Sequence, residues 1–130
     1  MIVCAGGSEQ IKGALPIGIG LVESAIRLTE LLSQEKPASL LFVGTAGSYG
    51  THDLLSLHES RVASQIELSF LQKKSYTPLD NVISSTENVS RETIVNSSQY
   101  ITTDKALGRK FIDLGIELEN MEFFSVMSVA

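Results

Sequence analysis

Residues 15–47 read LPIGIGLVESAIRLTELLSQEKPASLLFVGTAG and decide the fold class of this 130-residue chain. The apolar run at residues 15–17 ends at a glycine, and from Leu21 onward apolar residues recur at the spacing of an amphipathic helix. Pro37 ends that helix. Residues 39–43 then form an uninterrupted apolar run, which is typical of a strand buried on both faces of a parallel sheet. Strand, helix and strand in this order predict a crossover unit and hence an α/β fold.

The remaining sequence predicts further elements around this unit. They are strands at residues 2–5, 62–70, 82–83, 93–95 and 116–118, a surface loop at residues 86–91, and helices at residues 105–114 and after Asn120. Asp104 is a suitable N-cap for the first of these helices, and Gly115 ends it. We therefore predict an α/β protein with one domain, residues 1–130, and a mixed, mostly parallel sheet flanked by helices.

The composition excludes several classes of partner. Fifteen acidic residues against ten basic ones give a net charge of −5, and the basic residues are scattered, so a nucleic-acid surface is not expected. No apolar run approaches the roughly 20 residues that span a bilayer, and the N-terminus lacks a signal-peptide pattern. The lone Cys4 cannot form an internal disulfide, which fits a reducing compartment. We predict a cytoplasmic protein with neither a nucleic-acid nor a membrane partner.

Glycines cluster where predicted strands end, at residues 6–7, 18–20 and 44–47. Such loops let backbone amides approach a phosphate or a sugar, although tight turns alone also use them. Glu23 stands where the dinucleotide-binding pattern needs a small residue, and no Gly-Lys-Ser/Thr follows the first cluster. The glycines therefore predict turns, which could also contact a ligand. They favour neither the dinucleotide-binding motif nor the phosphate-binding loop that ends in Gly-Lys-Ser/Thr.

Other reactive side chains are expected to be structural. His52, Asp53 and His58 lack the spacing of a metal site, so we expect a solvated loop and no bound metal. Cys4 follows two apolar strand residues and has no neighbouring base, which predicts a structural thiol.

Glu122 stands out because it lies between Met121 and Phe123-Phe124 at the start of an apolar helix. A carboxylate in such surroundings is costly to bury unless it accepts hydrogen bonds. Two roles fit this requirement. The Glu122 carboxylate would accept either the first-turn amides of its own helix or the hydroxyl groups of a ligand with a vicinal diol.

Three motifs follow one another along the chain, each beside a predicted strand or helix. They are Gly18-Ile19-Gly20, Gly44-Thr45-Ala46-Gly47 and Asn120-Met121-Glu122. In this order and setting they resemble the nucleoside phosphorylase and nucleosidase superfamily, whose members cleave the N-glycosidic bond of nucleosides. The resemblance covers residues 17–47 and 93–130. It implies an enzyme that binds a purine nucleoside or base, cleaves the glycosidic bond and needs no cofactor.

On the nucleophile side, the resemblance implies roles for three residues. Gly20 would lie near the phosphate or water, while Thr45 and Ala46 would line the ribose and nucleophile pocket. Phe42 stands where phosphorolytic members place an arginine for phosphate. Hydrolytic members use an N-terminal glutamate to orient water, and Glu9 is the candidate here. Phosphate thus stays open as a co-substrate beside water.

On the nucleoside side, the resemblance implies four contacts. Tyr100 would stack on the purine, and the backbone of Ile101 would reach its edge. Met121 would pack on the sugar, and Glu122 would bind its 2′- and 3′-hydroxyls, which agrees with the second role considered above.

The sequence also departs from the family. Asn120 replaces the first acid of the usual Glu-Met-Glu, and the family's general acid, an Asp on the strand after the Glu122 helix, would fall beyond Ala130. We therefore expect a C-terminally short nucleoside-cleaving protein, inactive in this form if that acid is essential. The alternatives are a noncatalytic nucleoside-binding or assembly member of the same superfamily, and an unrelated α/β nucleotide-binding module. The apolar final helix predicts a homo-oligomer.

Overall fold

The computed structural model describes residues 1–85 and 93–130. Within these ranges the chain forms eight strands and four helices in an α/β arrangement, as predicted. The loop predicted at residues 86–91 lies outside the described residues.

Three short parallel strands form the first sheet, in the order β2-β1-β3. They are β1 (Ile2–Cys4), β2 (Leu15–Pro16) and β3 (Leu41–Phe42). Helix α1 (Leu21–Gln34) connects β2 to β3, which confirms the crossover unit. The burial expected for β3 is wrong, because among the described residues the strand pairs with β1 alone and Leu41 is 55% exposed.

The second sheet has five strands in the order β4-β8-β7-β5-β6. They are β4 (Gly47–Ser48), β5 (Val62–Ser64), β6 (Val82–Ser84), β7 (Ile94–Ser97) and β8 (Ile116–Asn120). Strands β5, β7 and β8 run parallel, and the edge strands β4 and β6 run antiparallel to their neighbours. The pairing is mixed and mostly parallel, as expected, but the strands divide between two sheets.

Residues 62–70 do not form one strand, contrary to the prediction. Strand β5 ends at Ser64, and helix α2 (Leu68–Leu71) begins four residues later. Every residue of β5 is buried, because the strand lies between β6 and β7. Beyond it, the buried side chain of Asn96 accepts the Ile66 amide at 2.8 Å and donates to the Ile66 carbonyl at 3.1 Å. A side chain thus takes the place of a partner strand at Ile66.

The last two helices begin close to their predicted positions. Helix α3 (Lys105–Asp113) is capped by the Asp104 side chain, which accepts the Ala106 amide at 2.7 Å, and Gly115 follows it with a φ of 77°. Helix α4 (Phe123–Val129) follows β8. No helix in residues 1–85 or 93–130 is long and apolar enough to cross a membrane.

Two clusters of buried apolar side chains hold these elements together. The first consists of Val3, Ile17, Leu28 and Val126, which join the first sheet to α1 and α4. The second consists of Ile66, Phe111 and Ile116, which join the second sheet to α3. Because α1 and α4 share the first cluster, their N-terminal ends are brought side by side. The candidate site forms there.

Candidate functional site

A cavity of about 380 Å³ lies where strands β1, β2, β3, β7 and β8 end. In α/β sheets, ligands bind beyond the carboxyl ends of the parallel strands, so this is the expected place for a site. Six residues predicted from the sequence line it: Glu9, Thr45, Ala46, Ile101, Met121 and Glu122. The structure thus gathers residues from both ends of the chain around one space.

Glu122 is 5% exposed and lies in the wall of this cavity. Its Oε1 accepts the Gly20 amide at 2.9 Å, and its Oε2 accepts the Met121 amide at 3.2 Å. The first-turn amide of Phe123 instead donates to Asn120 Oδ1 at 3.2 Å. The capping role considered for Glu122 is therefore wrong, and Asn120 fills it. The glutamate is fixed by another loop and retains free acceptor lone pairs.

Gly20 does not line the cavity but supplies the anchor for Glu122. Its φ is 85°, a left-handed conformation that side chains rarely adopt, and this turn aims its amide at the Glu122 carboxylate. The following helix begins at Leu21, whose amide donates to the Gln99 side chain at 2.8 Å. The glycine loop and residue 99 are thus tied together at the edge of the site.

Glu122 and Glu9 are electrostatically coupled. Burial raises the pKa of the Glu122 carboxyl above its ordinary value, the amides of Gly20 and Met121 oppose this effect, and the charge of Glu9 adds to the rise. The Thr45 hydroxyl donates to Glu9 Oε1, which holds the second carboxylate on the loop after β3. The two carboxylates belong to different walls of one cavity.

Glu119 is a third carboxylate in the lining, and no sequence pattern singled it out. This residue is 7% exposed and accepts the Tyr49 hydroxyl at 2.8 Å, the Thr102 amide at 2.9 Å and the Thr102 hydroxyl at 2.8 Å. Burial and the neighbouring Glu119 charge raise the pKa of Tyr49, so the phenol keeps its proton and remains a donor. Ser8 and Ile19 also line the cavity. Ser8 had no signal in the sequence, and Ile19 lay within the first glycine motif but was given no role of its own.

Tyr100 and Ile101 lie at the outer rim. Ile101 lines the cavity but is 69% exposed, and Tyr100 beside it is 78% exposed and outside the lining. The structure therefore brings Ile101 to the site and leaves Tyr100 next to its mouth.

The other reactive side chains lie elsewhere. Asp53 and His58 are exposed, as expected of a solvated loop. His52 is only partly exposed, because its Nε2 lies 3.0 Å from Glu117 Oε2 and its ring centroid lies 3.9 Å from that of His58. Cys4 is buried in β1. Within residues 1–85 and 93–130, no three His, Cys, Asp or Glu side chains are grouped as a metal site would require.

Comparison with known proteins identifies the fold. No family model matches the chain. A search of curated proteins also gives no match. Among solved structures, the native futalosine hydrolase of Helicobacter pylori strain 26695 is similar with a TM-score of 0.68 and 18% identity, covering 89% of this chain and 60% of that chain. The 5′-methylthioadenosine/S-adenosylhomocysteine nucleosidase of Campylobacter jejuni is similar with a TM-score of 0.68 and 19% identity. The match covers 89% of this chain and 59% of that chain.

A third similar structure is a variant of the Helicobacter pylori nucleosidase with 5′-methylthioadenosine in its active site. It gives a TM-score of 0.64 and 17% identity, and the match covers 89% of this chain and 59% of that chain. This chain thus spans about three fifths of the length of these proteins. The similarity confirms the fold that the three motifs led us to expect. The chain has the α/β fold of these nucleosidases and of futalosine hydrolase.

Proposed function

We propose that the cavity binds a purine nucleoside and that its residues serve the hydrolysis of the N-glycosidic bond. One observation carries the proposal. Glu122 is buried in the wall of a cavity, and both of its oxygens are fixed by backbone amides that leave acceptor capacity unused. The fold agrees with this function, since one neighbouring structure holds 5′-methylthioadenosine in its active site.

Glu122 provides what the sugar needs. A carboxylate accepts about four hydrogen bonds, and two are already taken by the amides of Gly20 and Met121. The remaining lone pairs suit the 2′- and 3′-hydroxyls of a ribose, which are vicinal donors. Hydrogen bonds to an ionised acceptor are stronger than neutral ones, so this pair fixes the sugar in the cavity. Met121, which also lines the cavity, offers the sugar an apolar contact.

Glu9 and Thr45 form the nucleophile side. The Thr45 hydroxyl donates to one oxygen of Glu9, which leaves the other to accept a proton from water. As the bond between C1′ and the base nitrogen breaks, its electron pair passes to the base and the sugar gains positive charge. The carboxylates of Glu9 and Glu122 stabilise that charge. Water adds to C1′ and gives a proton to Glu9, the leaving purine takes up a proton from solvent, and Glu9 returns its proton to solvent to complete the cycle.

The charge of the lining favours water over phosphate as the nucleophile. Three carboxylates, those of Glu9, Glu119 and Glu122, line the cavity, and the described lining contains no Lys, Arg or His. A phosphate dianion would be repelled there, whereas neutral water would not. We therefore infer hydrolysis rather than phosphorolysis.

A ligand titration tests the proposal. The 130-residue chain is titrated with methylthioadenosine, adenosine and inosine, with and without phosphate, and released base is followed by chromatography. Glu122→Gln should weaken binding about tenfold or more, because it removes charged hydrogen bonds to the sugar. Glu35→Gln, the same change at an exposed residue at the end of α1, is the matched control and should bind normally.

The outcomes separate the alternatives. Base release without a phosphate requirement supports hydrolysis. Saturable binding that depends on Glu122 but yields no base would favour the noncatalytic nucleoside-binding alternative. A chain that binds none of the three nucleosides would overturn the proposal.

A further inference from the structure

We propose that Glu119 is a positioning residue, which holds residues 99–102 at the rim of the cavity and thereby sets the affinity for the purine ring. The inference rests on the proposed nucleoside site and gives Glu119 a role beyond its contribution to the negative charge of the lining.

Glu119 binds the rim segment through its last residue. It accepts the Thr102 amide with Oε2 at 2.9 Å and the Thr102 hydroxyl with Oε1 at 2.8 Å. Because Glu119 lies on β8, between β4 and β7, its own backbone is fixed by the sheet. A rigid strand therefore holds Thr102 by two charged hydrogen bonds.

The other end of the segment is fixed independently. Gln99 Oε1 accepts the Leu21 amide at 2.8 Å, which ties the segment to the start of α1. Tyr100 and Ile101 lie between these two anchors and are 78% and 69% exposed. Side chains so exposed make few packing contacts, so hydrogen bonds decide where these residues stand: the two anchors and the Tyr100 amide, which donates to the Ser98 hydroxyl at 3.3 Å.

The position of the segment matters because of what it carries. Ile101 and Glu122 line the same cavity. With the sugar hydroxyls on Glu122, the base extends toward the rim, where Tyr100 and Ile101 offer the aromatic and apolar surface on which a purine stacks. Loss of the Thr102 anchor would release that surface without touching Glu122.

Glu119 has a second partner that provides a control. The Tyr49 hydroxyl donates to Oε1 at 2.8 Å, and the Tyr49 ring stacks on Phe111 with centroids 4.5 Å apart. This contact holds α3 and belongs to the scaffold. Removing the Tyr49 hydroxyl therefore disturbs the surroundings of Glu119 but leaves both bonds to Thr102.

The test measures adenine binding by calorimetry. Glu119→Leu removes every acceptor and should weaken adenine affinity about tenfold or more, and Thr102→Val, which removes one of the two bonds, should weaken it about threefold. Tyr49→Phe should bind adenine as the unmodified chain does. Glu119→Gln should keep the adenine affinity that Glu119→Leu loses, because the glutamine oxygen can accept the Thr102 amide. The hydroxyls of Thr102 and Tyr49 can turn so that their oxygens accept hydrogens from the glutamine NH₂ group.

Hydrogen exchange gives a second readout in the ligand-free protein. The Thr102 amide should exchange faster in Glu119→Leu than in the unmodified chain. In Tyr49→Phe it should exchange at the same rate as in the unmodified chain. Thr102→Val decides the matter if Glu119→Leu does not fold. Adenine affinity that is unchanged in Thr102→Val and in a folded Glu119→Leu, while Glu122→Gln still weakens nucleoside binding, would overturn this inference alone. An unmodified chain that binds no purine would overturn the proposed function together with it.

Discussion

Replacement of Asn96 by alanine should destabilise the protein by several kcal/mol. The Asn96 side chain is fully buried in β7 and makes three hydrogen bonds to Ser64 and Ile66. It accepts the Ser64 hydroxyl at 2.9 Å and the Ile66 amide at 2.8 Å, and it donates to the Ile66 carbonyl at 3.1 Å. The substitution removes all three and leaves the backbone of Ile66 without its partners.

The magnitude follows from the groups left behind. A buried polar group without a partner costs about 1–3 kcal/mol, so the amide and carbonyl of Ile66 together cost about 2–6 kcal/mol. The Ser64 hydroxyl, which is also fully buried, loses its acceptor and adds to this cost. Domains are stable by only about 5–15 kcal/mol, so the loss is a large fraction of the total.

Urea denaturation followed by circular dichroism measures this loss. The midpoint should fall while the slope of free energy against urea stays the same, because the native surface is unchanged. Ser64→Ala is the control, since it removes one bond and leaves Asn96 paired with Ile66; it should cost about 0.5–1.5 kcal/mol. A loss below about 1 kcal/mol in Asn96→Ala, or one equal to that of Ser64→Ala, would refute the reasoning.

Three further results are expected. Nucleoside affinity should be full above the pKa of Glu122 and should be lost as the pH falls through that pKa. The loss should occur at a higher pH than for an ordinary carboxyl, because burial raises the pKa of Glu122. A nucleoside titration repeated from pH 4 to 8 measures this dependence, which Glu122→Gln should abolish. Gly20→Ala should cost about 1–2 kcal/mol of stability in denaturation because of its φ of 85°, and its added Cβ would meet the Gln99 side chain. Asp104→Ala should cost about 1 kcal/mol by the same assay, since it removes the cap of α3.

Local patterns in the sequence predicted much of the fold. The helix from Leu21 and the cap at Asp104 depend on neighbouring residues, so the printed sequence contains their causes. The end of β5 does not depend on neighbouring residues, because Leu68 and Phe70 continue the alternation of a strand. What ends the strand ladder is Asn96, which lies 30 residues from Ile66 and binds its backbone.

The candidate site shows the same division. Glu122 could be singled out because a carboxylate among apolar neighbours is unusual, and the glycine loop because strands end there. Glu119 could not, because it alternates with Leu118 and is expected to face solvent like Glu117. Its burial depends on Tyr49, 70 positions away, and on Thr102. Long-range partners of this kind leave no local pattern.

The bond between the Gly20 amide and Glu122 joins residues 102 positions apart, and the Ser125 hydroxyl reaches the Leu21 carbonyl across 104 positions. Contacts so distant along the chain require closure of a very long loop, which slows folding. A growing polypeptide cannot form this pocket until Glu122 and Ser125 have left the ribosome. If the proposed nucleoside binds, it should do so only after residues 20 and 122 have come together, and it would stabilise the fold by holding these two segments in place.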